Sequence, residues 1–400
     1  MKKLNITLIG GGNSSHTIIP LLSNAGHSVS LYTRNPEKWS KNVTMEYTNK
    51  EGKVIDSLIG KLECASNKPQ EIIPDSDIII LSLPVSVYRL MLQDIAPYID
   101  KNKKVHIGVI YGQGGFNWMM ENLIAEFNLN NLVYFSVGLL PWITRTKEYG
   151  KIGINYGPKK NNVIALNKKD EFNYLNEVIL NDLCFSYFKT GKFRLADTFL
   201  SLTLSVDNQI IHLSRLYSLY LQYGGRWENL EDVPLFYRDF DDLSAKIMKE
   251  LDLDYTKIRS EIKKKFPDRD FTYMLDYLNL ERLSYGSSNT NIKKSFINSP
   301  TLGQIPTPVV REHDGFFVFD KNHRFFKDDL YYGLVIAKWF ADKLNIDDTP
   351  MLNQIINWSQ NYLNDIVMID NKLIVPSNIN DYKYGHPDIY EFKSFEDYIF

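Results

Sequence analysis

Two clusters in this sequence have residue types and spacings that can do chemistry. The first is Gly10-Gly11-Gly12-Asn13-Ser14-Ser15. Gly10, Gly12 and Ser15 stand at the small-residue positions of a G-x-G-x-x-G/A turn. The first permits the sharp bend, the second lets backbone N–H groups approach a pyrophosphate, and the third lets a helix pack close to a strand. Asn13 and Ser14 complete the loop whose amides would face the phosphates. The second cluster lies along Leu200 to Leu221, where Ser201, Ser205, Asn208, His212 and Arg215 fall on one face of a helix. Around them the helix is apolar, with Leu202, Val206, Ile210, Leu213 and Tyr217 as one stripe. Such a polar line is either an edge turned to a cleft or the ordinary solvent side of a surface helix. In a cleft, His212 would suit proton transfer, because imidazole titrates near neutrality.

The elements flanking the glycine turn give it meaning. Leu4 to Ile9 reads as a buried parallel strand, about His16 to Ala25 as a helix ending at Gly26, and His27 to Tyr32 as a second strand. A strand, glycine turn, helix and second strand in this order predict a dinucleotide site rather than an incidental turn. The second strand runs into Tyr32-Thr33-Arg34-Asn35-Pro36, with no acidic residue for a free ribose 2′-hydroxyl. Thr33 and Arg34 could instead hold a 2′-phosphate, which favours NADP(H) over NAD(H). The competing reading of Arg34 is a solvated loop charge. Two further loops should leave the C-terminal ends of strands beside the cofactor. They are Leu83-Pro84-Val85-Ser86, where Pro84 could equally be turn chemistry, and Tyr111-Gly112-Gln113-Gly114-Gly115-Phe116.

Strands are also expected at Ile78 to Leu83, Lys104 to Ile110, Val133 to Val137 and Ile152 to Tyr156, separated by helical patterns. The N-terminal part is therefore α/β, a Rossmann doubly wound parallel sheet. Near Gly191 the pattern changes: Asp197 to about Lys265 is helical without a convincing strand, and Leu330 to Leu344 repeats at helical spacing. Gly286 to Pro308, rich in Ser, Asn, Thr and Pro, should be a long loop. Two domains are expected, a nicotinamide-dinucleotide domain over 1–190 and a mostly α-helical C-terminal domain over 191–400.

Composition excludes other classes. With 46 basic and 48 acidic residues and no long like-charge block, nothing argues for nucleic acid or an anionic membrane surface. Apolar runs are strand-length, Met1-Lys2-Lys3 leads directly into a strand and glycine turn rather than a secretory signal, and no metal-ligand spacing is present. The two cysteines, Cys64 and Cys184, suit a reducing cytoplasm.

Several segments in order along the chain resemble the octopine/nopaline (opine) dehydrogenase family. Asp207-Asn208-Gln209-Ile210-Ile211-His212-Leu213-Ser214-Arg215-Leu216-Tyr217 is similar to the segment opening that family's helical domain, and Gly10 to Asn13 with His16 to its glycine fingerprint. Tyr111 to Phe116 is similar to its Gly-Gln-x-Gly loop, and Leu139-Leu140-Pro141-Trp142-Ile143-Thr144-Arg145 to its Leu-Pro-Trp-x-x-Arg loop. Arg324-Phe325-Phe326-Lys327-Asp328-Asp329-Leu330-Tyr331-Tyr332-Gly333-Leu334 is similar to its Arg-Tyr-x-x-Glu-Asp-x-Pro-x-Gly-Leu run, with Phe325 in place of Tyr and Tyr331 in place of Pro.

The resemblance implies reductive condensation of an α-keto acid, by family default pyruvate, with the amino group of an amino acid. Those two small molecules would be its only partners, and the enzyme would be a monomer or homodimer. It implies His212 as general acid/base paired with Asp329, Arg324 on a substrate carboxylate, and Gln113 and Thr144 lining the substrate pocket. Read on their own, Asp329 could be a helix N-cap and Arg324 a loop ion pair. Thr144 stands where some relatives have Cys, so the amino acid is left open. No Lys-x-x-x-Asn pattern opens the helical domain, which argues against the lysine-dependent hydroxyacid and glycerol-phosphate dehydrogenases. The alternatives are a keto- or hydroxy-acid reductase of the same two-domain plan and a non-catalytic NADP-binding sensor.

Overall fold

The computed structural model describes residues 3–49, 51–205, 207–297, 299, 302, 303, 305–376 and 384–399. Val206, expected in the apolar stripe, lies outside them. The chain divides into two compact units, one formed by Met1–Leu202 with Phe395–Phe400 and the other by Thr203–Ser394.

Unit 1 starts with β1 (Asn5–Ile9), α1 (Ser15–Asn24) and β2 (Ser28–Tyr32). Then follow β3 (Asn42–Thr48), β4 (Val54–Lys61), β5 (Cys64–Ser66), β6 (Ile78–Leu81), α2 (Tyr88–Ile95), β7 (Val105–Val109), α3 (Phe116–Phe127) and β8 (Leu132–Val137). Strands β9 (Trp142–Glu148), β10 (Ile152–Pro158), β11 (Asn161–Leu166) and β12 (Lys192–Leu195) complete it. The main sheet has the order β12-β11-β8-β7-β6-β1-β2-β5 and is parallel throughout except between β11 and β8. The fold is thus the expected Rossmann-type sheet. Its central strands are apolar on both faces because helices cover both, and β6 (Ile-Ile-Ile-Leu) is buried at every position. Gly26 ends α1 at φ +97°, a conformation in which a side chain would be strained.

One expected strand sits elsewhere. Ile152 to Tyr156 forms a strand, but in a separate sheet of order β4-β3-β10-β9. A short turn carrying Gly150 at φ +74° joins β9 to β10. So short a connection makes an antiparallel hairpin and leaves no room for the crossover a parallel strand requires. This second sheet packs on α1 and carries Thr144 on β9, a strand where a loop was expected.

Unit 2 is mainly helical, with α4 (Asn208–Tyr223), α5 (Asp242–Lys265), α6 (Val335–Lys343) and α7 (Pro350–Leu363). The segment Leu200 to Leu221 is not one helix: Leu200–Thr203 is separate and α4 starts afresh at Asn208. The polar line nevertheless turns inward, with Ser201, Ser205, His212 and Arg215 all buried. Two expectations are corrected. A short strand, Arg226–Trp227, pairs with Phe317–Phe319, and the expected loop Gly286 to Pro308 contains a helix at Ile292–Ile297. The helix is held by Phe296, which is buried against Phe240 and Tyr277, so an apolar anchor overrides the polar composition around it. Leu330 to Leu344 begins as a single wide turn, Leu330–Leu334, closed by Leu334 N–H donating to Asp329 O at 2.9 Å, before α6 continues it. Such wide turns recur at functional sites.

Candidate active site

The glycine turn of unit 1 is built to receive an anion. Gly10 has φ +106°, and a Cβ there would lie 2.6 Å from Ser82 O and 2.5 Å from the Leu83 side chain, so only glycine fits. Gly12 opens onto free space, its nearest neighbour to a would-be Cβ being Ser82 O at 3.8 Å. Ser15 Oγ donates to Gly10 O at 2.5 Å and locks the bend. Ser14 leads α1 without a side-chain cap, and no acidic residue stands in the first turn. The amide groups there are left for an outside acceptor such as a pyrophosphate, which fits a dinucleotide.

The turn is clamped from the second sheet. Asn13 Oδ1 accepts from Thr146 N at 2.9 Å and Thr146 Oγ1 at 2.8 Å. His16 is fully buried; Gly150 N–H donates to its Nε2 at 2.8 Å, so Nδ1 carries the proton and donates to Gly12 O at 2.9 Å. Burial holds its pKa below the usual imidazole value, in keeping with that neutral form. Past β2, Thr33 is buried beside Gly11, while Arg34 is exposed and makes no ion pair or hydrogen bond with the described residues. Pro84 is exposed at the end of β6, directly before the turn Val85–Val87.

Gln113 and Thr144 are also in unit 1, and both are buried. Gln113 Nε2 donates to Gly138 O at 3.2 Å and Leu202 O at 2.9 Å. Thr144 Oγ1 donates to Ile154 O at 2.9 Å and lies 3.0 Å from Thr17 Oγ1. Both side chains are thus fixed by bonds inside the unit.

In unit 2 the structure brings His212 and Asp329 together. Asp329 Oδ2 lies 2.7 Å from His212 Nδ1, and both side chains are essentially inaccessible to solvent. Asp329 makes no side-chain cap to the turn it precedes. His212 comes from α4 and Asp329 from the start of the wide turn. That turn approaches α4 closely at Gly333, where a Cβ would lie 2.1 Å from Gln209 Cγ. Phe325 stacks on the imidazole with ring centroids 3.7 Å apart. Arg324 is exposed and its side chain has no ion pair or hydrogen bond among the described residues; its cation is available to a carboxylate.

Burial decides the charge of the pair. It pushes the Asp329 carboxyl up to about 8, opposed by the Arg324 cation, and pulls His212 well below its ordinary value, helped by Arg324. Both shifts express one preference: the low-dielectric site favours the arrangement with no net charge, in which the pair holds one transferable proton. Such a pair can act as a general acid and then as the matching base.

Residues 195–363 match the family model described as NAD/NADP octopine/nopaline dehydrogenase, alpha-helical domain. Residues 5–136 match the N-terminus of NAD-dependent glycerol-3-phosphate dehydrogenase. The chain is 23% identical over 392 residues to the opine dehydrogenase of Haliotis discus hannai, covering 93% of each chain. It is 22% identical over 387 residues to the tauropine dehydrogenase of Arabella iricolor, covering 92% of this chain and 93% of that one. Residues 195–363 thus carry the helical domain of the octopine/nopaline dehydrogenase family. The chain is an NAD(P)-dependent oxidoreductase of the type acting on CH–NH bonds. Its fold is similar to that of a solved octopine dehydrogenase bound to NADH and L-arginine, with a TM-score of 0.80 at 20% identity over 98% of this chain and 97% of that one.

Two side chains hold contacts that no local pattern in the sequence encodes. His16 resembled part of the fingerprint, but its tether to Gly150 depends on the second sheet. Tyr237, whose Oη lies 3.0 Å from His212 Nε2, falls in the stretch expected to be helical, which the structure instead folds as an irregular turn between α4 and α5. Arg215 was visible as part of the polar line. It is buried and bonds Asp241 Oδ2 at 3.0 Å and Ser244 Oγ at 2.8 Å, which makes it structural rather than a ligand group.

Proposed function

We propose that this protein is an opine dehydrogenase that condenses an α-keto acid, with pyruvate the leading candidate, with the amino group of an amino acid and reduces the resulting imine. The observation that carries this reading is the buried His212–Asp329 pair beside the unpaired Arg324 cation. A keto acid offers a carboxylate for Arg324, and both loss of water from the condensation adduct and deprotonation of the incoming ammonium need a group that gives and takes one proton. We assign His212 as that group, Asp329 as the carboxylate that orients it, and Arg324 as the substrate-carboxylate ligand. Gln113 and Thr144 would act as fixed walls of the substrate site. The nicotinamide, when bound, supplies the hydride.

Residues 1–190 are assigned the cofactor role and 191–400 the substrate and acid/base role. Gly10, Gly12, Asn13, Ser14 and Ser15 would hold the pyrophosphate, with Pro84 bordering the cofactor. Thr33 and the free Arg34 support NADP(H) over NAD(H), because no carboxylate stands there for a ribose hydroxyl. Cys64 and Cys184 are both unpaired, which suits a reducing cytoplasm. No described helix is long and apolar enough to cross a membrane.

The test is a screen of NADPH and NADH oxidation with pyruvate, alone and with each common amino acid and taurine. Oxidation that depends on an amine supports the proposal. Oxidation by pyruvate alone, unaffected by any amine, would identify a keto-acid reductase instead. A lower Michaelis constant for NADH than for NADPH would overturn the cofactor assignment.

A further inference from the structure

Nothing in the assigned site accounts for Tyr237. His212 has 0% of its surface exposed, so no face of the ring is open to a substrate in this state. Nδ1 is engaged by Asp329, Phe325 covers one ring face, and Phe236 meets the ring edge-on at 5.6 Å. Nε2 points at the phenol of Tyr237, 3.0 Å away. That phenol is itself held: its ring packs on Phe236 at 4.9 Å and on Phe296 at 5.5 Å. The backbone around it is pinned by Arg215, one turn beyond His212 on α4. Arg215 donates to Phe236 O at 3.2 Å and Asp239 O at 2.8 Å. The same helix face therefore carries the imidazole and the cation that positions the imidazole's partner.

Resting on the opine dehydrogenase reading, we infer that Tyr237 is a proton relay between His212 Nε2 and the reacting substrate. In the acid direction the Nε2–H bond breaks as a new Oη–H bond forms on Tyr237. The phenol's original O–H bond breaks in the same motion, and its proton goes to the hydroxyl of the condensation adduct, which leaves as water. Tyr237 ends as a neutral phenol, and the His212–Asp329 pair ends one proton poorer. The reverse motion carries a proton from the substrate ammonium back to Nε2. A hydroxyl suits this task because it donates and accepts at one atom. The ionisable and charged groups near the relay include Asp329, Arg324 and His323 from the segment packed on α4, and Arg215 from α4 itself.

The experiment combines a proton inventory on the wild-type enzyme with the variant Tyr237→Phe, which keeps the packed ring. Single-turnover rates are measured in mixtures of H₂O and D₂O. The wild type is expected to give a curved inventory, reporting two protons in motion. Y237F is expected to lose about 10–100-fold in rate, within the usual worth of one acid/base group, with its NAD(P)H affinity retained. A straight, one-proton inventory for the wild type overturns the relay without recourse to any variant. So does a Y237F enzyme within twofold of the wild-type rate. A wild-type enzyme inert with every amine removes the proposed reaction and the relay with it, whereas turnover with an unaffected Y237F removes the relay alone.

Discussion

Asparagine at position 329 keeps the shape of the carboxylate and removes its charge, which isolates what Asp329 contributes. The carboxylate lies 2.7 Å from His212 Nδ1 in a site closed to solvent. At an effective dielectric of about 20, a full charge pair at that distance is worth roughly 6 kcal/mol. The asparagine keeps a hydrogen bond to the ring, worth about 1 kcal/mol net. About 4–5 kcal/mol of imidazolium stabilisation would then be missing, and at about 1.4 kcal/mol per decade Asp329→Asn should lower kcat by roughly 10³-fold. Amine-dependent NAD(P)H oxidation at saturating substrate measures it, with a thermal melt to confirm folding. Folding should survive, because the substitution relieves a buried acid. The pH profile should change as well. With the Asp329 carboxyl raised to about 8, the pair keeps its transferable proton below that pH and loses it above, so the wild-type acid limb should fall near pH 8. D329N should lack that limb. The double variant with His212→Ala should be no slower than H212A alone, because the two residues act as one unit. A D329N enzyme with wild-type kcat, or full additivity in the double variant, would refute the pairing.

Three other outcomes are expected. Arg324→Ala should cut kcat/KM for the keto acid about 10–100-fold, the usual worth of a charge-assisted bond, while the NAD(P)H Michaelis constant and the melting temperature stay put; an unchanged keto-acid constant removes Arg324 from the site. Gly333→Ala places a methyl 2.1 Å from Gln209 Cγ, so the wide turn or α4 must move. A loss of about 1–3 kcal/mol in urea unfolding should follow, together with lower kcat from the displaced pair, and a variant equal to the wild type in both disproves the close approach. His386 is buried and held down to about 4 by desolvation, against about 6.5 unfolded. Its stabilising contribution is present above pH 6.5 and is lost as pH falls toward 4, about 3 kcal/mol in all. Unfolding titrations at pH 7 and 4.5 should show a smaller acid loss for His386→Asn; an identical loss would exclude His386 as a source.

Local order along the chain made much of this protein readable in its sequence. Strand, glycine turn, helix and strand are contiguous, and each step has a steric reason, so the Rossmann sheet and the place of Gly10 to Ser15 follow from residues within about 30 positions of one another. Helical spacing put Ser205, His212 and Arg215 on one face. It could not say whether that face met water or a core, because periodicity is the same in both cases. Tertiary structure decided that, turning the face inward and burying His212 against Asp329 from more than a hundred residues away. It also supplied what no local pattern encodes. The hairpin that draws Ile152 to Tyr156 into a second sheet brings Gly150 to His16, and so steadies the glycine turn from outside it. Tyr237 meets His212 because Arg215 pins an irregular turn in a stretch whose local pattern reads as helical. Chemistry-bearing residue types could be listed from the sequence, but which of them share a proton depends on burial and distance, and those exist only once the chain has folded.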